Sequence, residues 1–363
     1  MGSYREGGIC LENQKGPVFF LGSSTKDGFV SLFGQLQNPT ELERVFVLKG
    51  GPGSGKSTLM RRLGAALEER GHAVEWIACA SDPDSLDAVL DRTARAAILD
   101  GTAPHVVDPA YPGAVETLVN AGDAWDEAAL RANRGEIVAL TERIAACHSR
   151  AGARIRAAWA LLENNRVWAA PYVEPRAAAA LAGKILEEVP EGSGRTETRL
   201  LSAVSVGRVA FWDGTLRALC GRLYVAEDPW GAGKQALLER LRAGAAAKGA
   251  ETIVCPCSIG GGGNLDHLIF PAAGVGVSAA NGFHAASHPG AVGVEGFYRT
   301  IPAWLREAME AQREQAAALI SGACECVAEA KALHDSLERF YCAAMDFGEM
   351  DELYDRLLAG MRA

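Results

Sequence analysis

The segment GGPGSGKST, running from Gly50 to Thr58, constrains this chain more than any other. Gly50, Gly55, Lys56 and Ser57 meet every fixed position of the pattern G-x-x-x-x-G-K-[ST]. Its flanks fit as well. RVFVLK (residues 44–49) is rich in β-branched and aromatic residues and predicts a buried strand. Beyond the loop, Leu59, Leu63 and Leu67 recur at steps of four, predicting a helix with one apolar stripe that closes near Gly71. Glycines let the backbone curl around an anion with several N–H groups turned inward, and the following helix adds the positive end of its dipole. The expected ligand is therefore the triphosphate tail of a nucleotide, cradled by Gly50, Gly51, Pro52, Gly53, Ser54, Gly55, Lys56, Ser57 and Thr58. In that reading Lys56 reaches the β- and γ-phosphates and the Ser57 hydroxyl ligates Mg²⁺.

Such a loop needs an acidic partner for the metal. The apolar run Ala96 to Leu99 predicts a strand that delivers Asp100. Gly101 follows, where many ATPases carry a glutamate that polarises water, which weighs against a fast motor-type enzyme. Between loop and Asp100 the chain reads as a strand (residues 73–78), a turn, and a helix starting near Ser85. Asp82 and Asp84 fall at the carboxyl end of that strand, where open α/β sheets place ligands. They are candidates to orient a hydroxyl or accept a proton; the alternative is a turn or helix-cap role. His105 is a candidate to touch phosphate or substrate, and a buried, satisfied histidine is the alternative. For Arg61 and Arg62 a solvated or ion-paired helix surface is expected.

A second, altered copy follows. Lys234 lies 178 residues after Lys56, and RLYVAEDPWGAGKQALLERL lines up with RVFVLKGGPGSGKSTLMRRL. Downstream, SLDAVL faces NLDHLI, TAPHV faces NGFHA, and PGAV at Pro112 returns at Pro289. Each half then runs into an Ala-rich helical stretch, about residues 125–165 and 302–345. The expected fold is α/β: a tandem duplication of a P-loop NTPase lobe (parallel sheet, helices on both faces), each lobe followed by a helical hairpin. The lobes are expected at 17–178 and 198–363. In the second copy Asp228 replaces Gly50, Gln235 replaces Ser57, and Ser278 stands where Asp100 stood, while Gly231, Gly233 and Lys234 remain. A degenerate lobe is expected, serving as scaffold, regulator or substrate platform, with a weak anion site at Lys234 as the alternative.

The runs FVLKGGPGSGKSTLM, CASDPDSLDAVL and AILDGTAPHVVDPAYPGAVETLVN resemble a family of bacterial duplicated P-loop proteins catalogued as ATPases or nucleotide kinases, and the resemblance extends over nearly the whole chain. It implies ATP binding through Gly50 to Thr58 and names no substrate. Asp228, Gln235 and Ser278 depart from the pattern at its phosphate-turn and metal positions.

Composition limits the partners. A net charge of −9 and a pI near 5.4 offer no basic footprint for nucleic acid or an anionic membrane. No apolar run approaches the roughly 18 residues of a membrane span, and MGSYREGGICLENQKG lacks a signal peptide's apolar core. A cytoplasmic location is the expectation, and with it nine reduced cysteines. Cys255/Cys257 and Cys324/Cys326 lack the C-x-x-C spacing of zinc sites and read as buried thiols. Arg150, Arg154 and Arg156 read as a solvated helix face. Three functions stay open: a Mg²⁺-dependent ATP-binding NTPase, a small-molecule or nucleotide kinase with its acceptor near Asp82, Asp84 or His105, and an ATP-gated regulator acting on a protein partner. No N-K-x-D guanine signature is present, which favours ATP.

Overall fold

The computed structural model describes residues 11, 14–192, 194–295 and 297–361. Their contacts divide into two compact units, each discontinuous in sequence. One gathers the chain up to Gly22, Ser31–Cys147 and Glu329 onward; the other gathers Ser23–Val30 and His148–Ala328. This differs from the expected lobes at 17–178 and 198–363. The end of the chain belongs with the first unit, and each of the two long helices is divided between the units, at 147/148 and 328/329.

The first unit holds a six-stranded sheet of β1 (Val18–Phe20), β2 (Arg44–Lys49), β3 (Val74–Ala78), β4 (Leu86–Asp91), β5 (Ala96–Asp100) and β6 (Glu116–Asn120), in spatial order β1-β3-β4-β5-β2-β6. The second unit holds β7 (Thr196–Thr198), β8 (Arg222–Glu227), β9 (Thr252–Cys257), β10 (Gly261–Phe270), β11 (Val275–Ala280) and β12 (Ala291–Val294), in order β7-β9-β10-β11-β8-β12. The two orders are the same, strand for strand.

Both sheets are mixed, which corrects the expected parallel sheet. β4 runs antiparallel to β3 and β5, and β10 antiparallel to β9 and β11, while every other pairing is parallel. The helix expected from Ser85 is thus a strand. Ser85 N–H donates to the Asp82 carbonyl at 2.8 Å and turns the chain back, and every residue of β4 is buried. A short, fully buried apolar run carries no periodicity that separates strand from helix, and an interior position in the sheet settles it as strand.

α1 (Lys56–Glu69) follows β2 and buries Leu59, Met60, Leu63 and Leu67. Gly64 is required there, since a Cβ would lie 2.3 Å from the Trp76 indole of β3. The expected helical hairpins are instead long single helices, α2 (Arg134–Ala169) and α5 (Ala303–Ala343), with α3 (Pro175–Glu188) and α4 (Ala232–Ala247) between them in sequence and α6 (Phe347–Gly360) last. Within the first unit α6 returns to α1, where the Arg62 guanidinium lies 4.2 Å over the Tyr354 ring and 2.5 Å from Asp351. Among the described residues, no helix is long and apolar enough to cross a membrane.

Candidate functional site

β2 ends at Lys49 and the chain curls through Gly53 (φ 69°) and Gly55 (φ 83°) before α1 begins at Lys56. Both glycines sit in the left-handed region that a side chain rarely tolerates. The curl turns the buried Lys56 ammonium inward, 2.9 Å from the Gly50 carbonyl, 2.7 Å from that of Gly51 and 3.3 Å from Ser54 Oγ. Among the described residues, no protein acceptor takes the N–H groups of Gly53, Ser54, Gly55, Lys56 or Ser57. Five consecutive amides without a protein acceptor, a helix N-terminus and an ammonium lie together on this short loop, which is the donor set of an anion site. The last turns of α5 and the start of α6 cover the other side of the loop. A Cβ on Gly51 would meet Tyr341 at 2.6 Å, one on Gly53 would meet Cys342 Sγ at 2.8 Å, and Phe347 lies 3.6 Å from the Cβ position of Gly55.

Acidic groups face the lysine. Asp100 ends β5 directly beside β2, paired in register with Leu48, and its Oδ2 lies 3.5 Å from Lys56 Nζ. Its Oδ1 accepts from the Thr102 N–H and hydroxyl at 2.9 and 2.6 Å. A second carboxylate, Asp87, escaped the sequence reading because it was assigned to a helix. It sits on β4 where the register against β3 slips: Ile77 pairs with Ala88 and Ala78 with Leu86, so Asp87 is the extra residue of a β-bulge. Bulges re-aim a side chain. Burial pushes the Asp87 carboxyl up to about 6, with the Asp100 charge adding to the rise and His105, Cys79 and Lys56 opposing it. His105 Nε2 lies 4.0 Å from Asp87, and the imidazole stacks on Phe33 with ring centroids 4.4 Å apart.

The remaining candidates separate from this group. Ser57 Oγ accepts the Leu86 N–H at 2.9 Å, tying α1 to β4 and leaving a second lone pair for a metal. Asp82 turns to Lys331 of α5 at 3.4 Å. Asp84 is exposed, with its carbonyl accepting from Arg61. Pro52 lies in the curl and Thr58 in the first turn of α1. The structure therefore brings together Lys56, Asp100 and His105, and adds Asp87.

The second unit rebuilds this frame with altered chemistry. Gly231 (φ 83°) precedes α4, which starts two positions earlier than α1 does relative to the shared lysine. Asp228, the residue opposite Gly50, is 2% exposed and folds its carboxylate into the loop. Its Oδ1 accepts from the N–H of Trp230 at 3.0 Å and of Gly231 at 2.9 Å, and its Oδ2 from the N–H of Lys234 at 2.7 Å. The Tyr298 hydroxyl accepts from the N–H of Ala232 and Gly233 at 3.1 and 2.9 Å and donates to Asp228 at 2.7 Å. All five amides from Trp230 to Lys234 are thus satisfied from within. Burial and the Asp228 charge drive the Tyr298 hydroxyl far above its usual range, so it stays a donor. Gln235 Oε1 accepts the Leu265 N–H at 3.0 Å, reproducing the Ser57–Leu86 tie without a hydroxyl.

Register also corrects one assignment. Asp100 pairs with Leu48, and the matching residue of β8, Ala226, pairs with Ala279. The counterpart of Asp100 is therefore Ala279, not Ser278. The antiparallel strand keeps its aspartate: Asp266 is the extra residue of the same bulge, since Cys255 pairs with His267 and Pro256 with Leu265. Lys234 bonds Asp266 and the Leu265 carbonyl, His284 Nε2 lies 3.4 Å from Asp266, and Phe211 stacks on His284. Phe33, Lys56, Cys79, Asp87 and His105 thus recur as Phe211, Lys234, Cys257, Asp266 and His284, each 178 or 179 residues later. A cavity of about 280 Å³ adjoins the second group, lined by Trp159, Trp230 and Phe283 and by Lys234, Asp266 and His284.

No protein-family model, curated protein or solved structure matches the chain.

Proposed function

We propose that the chain is a tandem duplication of a P-loop lobe in which the first half binds Mg²⁺-ATP and transfers its γ-phosphoryl group to water. One contrast carries this reading. The amides from Gly53 to Ser57 face no internal acceptor, whereas of their counterparts, Gly231 to Gln235, the first four are filled by Asp228 and Tyr298 and the last by the Gly231 carbonyl. The first loop keeps its donors for an external anion, and the second spends them on its own side chains.

In this reading the loop amides hold the β- and γ-phosphates, and Lys56 neutralises charge that builds up as the γ-phosphoryl group leaves. Ser57 Oγ and Asp100 would hold Mg²⁺, which supplies charge neutralisation across the phosphate oxygens; an oxygen-only donor pair suits that ion. Asp87, ionised above about pH 6, is the base that takes a proton from the attacking water, and His105 beside it stabilises the carboxylate. The Gly51–Tyr341 and Gly53–Cys342 packing favours a second reading, transfer to a metabolite hydroxyl, because a covered loop excludes water.

Phosphate accounting separates the outcomes. Free phosphate from ATP without an added acceptor supports hydrolysis; consumption of ATP only with a metabolite supports a kinase. Thermal stabilisation by Mg²⁺-ATP with neither reaction leaves an ATP-gated regulator, and no stabilisation by ATP, GTP or deoxynucleotides contradicts the proposal.

A further inference from the structure

The second half holds a buried cluster that the nucleotide reading does not use. Asp266, His267 and His284 present a carboxylate oxygen and two imidazole nitrogens that all lie within 4.8 Å of one another, and all three residues are buried. His267 Nδ1 is paired with Ser278 Oγ at 2.8 Å, which fixes the ring, while its Nε2 has no hydrogen-bond partner. His284 Nδ1 is likewise buried without a partner. On the other edge of that ring, Nε2 faces the Asn281 amide nitrogen at 3.3 Å and Asp266 Oδ2 at 3.4 Å. One nitrogen cannot accept from an amide and donate to a carboxylate at once. Phe211 lies against both imidazoles, with ring centroids 5.4 Å from His267 and 4.8 Å from His284, and holds them as a pair.

Leaving buried polar nitrogens unsatisfied is costly. A cation would take up the unpaired His267 nitrogen and relieve the contested His284 Nε2, with charge from Asp266. We propose that Asp266, His267 and His284 form a binding site for a divalent first-row transition ion such as Zn²⁺. Two imidazoles and one carboxylate select that class over Mg²⁺ or Ca²⁺. The serine behind His267 is the outer partner that ligating histidines commonly have. With metal–ligand bonds of about 2.0–2.2 Å, the cluster contracts by roughly an ångström on loading.

The cavity of about 280 Å³ reaches Asp266 and His284, giving the ion an entry path and a fourth position open to a small ligand. Lys234 is the competitor: it binds Asp266 Oδ1, and the ion takes Oδ2 on the side of His284. The first half lacks the site, because Ala88 follows Asp87 where His267 follows Asp266.

The test uses the full chain, stripped with a chelator and titrated with Co²⁺ by visible absorption and with Zn²⁺ by calorimetry. One ion per chain is expected, without a thiolate charge-transfer band. His267→Ala, checked for fold by circular dichroism, binds at least about tenfold more weakly. Lys234→Met, which removes the competing ammonium, binds more tightly, and Lys56→Ala binds as the unaltered chain does, independently of the nucleotide reading. Absence of a bound ion, unchanged affinity in His267→Ala, or a thiolate band would overturn the proposal.

Discussion

Tyr298 and Asp228 close the second glycine-rich loop from within, the phenol donating to the carboxylate at 2.7 Å while the two side chains divide five backbone amides between them. The carboxylate accepts from three of those amides. Asp228→Ala should therefore strand three amides and the Tyr298 hydroxyl, destabilising the chain by about 3 kcal/mol or more. Added inorganic phosphate should restore part of the loss, read as a rise in melting temperature absent from the unaltered chain. A neutral substitution with no phosphate response would contradict this account of the loop.

Asp87 predicts a pH dependence of stability. Its carboxyl sits at about 6 when folded against a usual 3.8, so between those values the folded chain holds a proton that the unfolded chain has released. The unfavourable contribution of the ionised group is absent below about pH 3.8, grows as pH rises, and is complete above about pH 6. Asp87→Asn should then stabilise the protein above pH 6, by on the order of 2–3 kcal/mol, and leave it unchanged near pH 4. Urea melts at the two pH values measure the difference; an equal effect at both would refute it.

The same residue predicts a rate effect. Phosphoryl transfer should climb as pH rises through about 6, and Asp87→Asn should lose turnover by at least about a hundredfold while retaining Mg²⁺-ATP binding. An unchanged rate would remove Asp87 from the chemistry.

Much of this was legible in the sequence. The loop, its flanking strand and helix, and the strand ending in Asp100 followed from glycine placement and apolar periodicity, and the matched strand orders agree with the alignment of the two halves. What was not legible is the bulge. A strand alternates its faces, so no local pattern says that Asp87 is an inserted residue turned toward His105. Once β4 is misread as helix, Asp87 drops out of sight and Asp82 and Asp84 take its place. One clue stood in the alignment itself: SLDAVL against NLDHLI and TAPHV against NGFHA retain the aspartate and the histidine in both halves. The closing of the second loop depends on Tyr298, 70 residues beyond Asp228, which spacing alone does not reveal.

Packing over the first loop gives a further prediction. Gly53 has φ 69°, and a Cβ there would lie 2.8 Å from Cys342 Sγ and 2.9 Å from the Glu338 carbonyl oxygen. Gly53→Ala should cost about 1–3 kcal/mol from backbone strain and overlap together. Pairing it with Cys342→Ala should not restore stability, because the Glu338 carbonyl remains; full rescue in a denaturant melt would contradict the packing described.

Calorimetry of Mg²⁺-ATP against the unaltered chain, Lys56→Ala and Lys234→Ala tests the central claim most directly. One nucleotide per chain, lost in the first variant and kept in the second, is the predicted result. Binding that survives Lys56→Ala in a folded protein, or that disappears with Lys234→Ala, would contradict the assignment of the open loop to the first half.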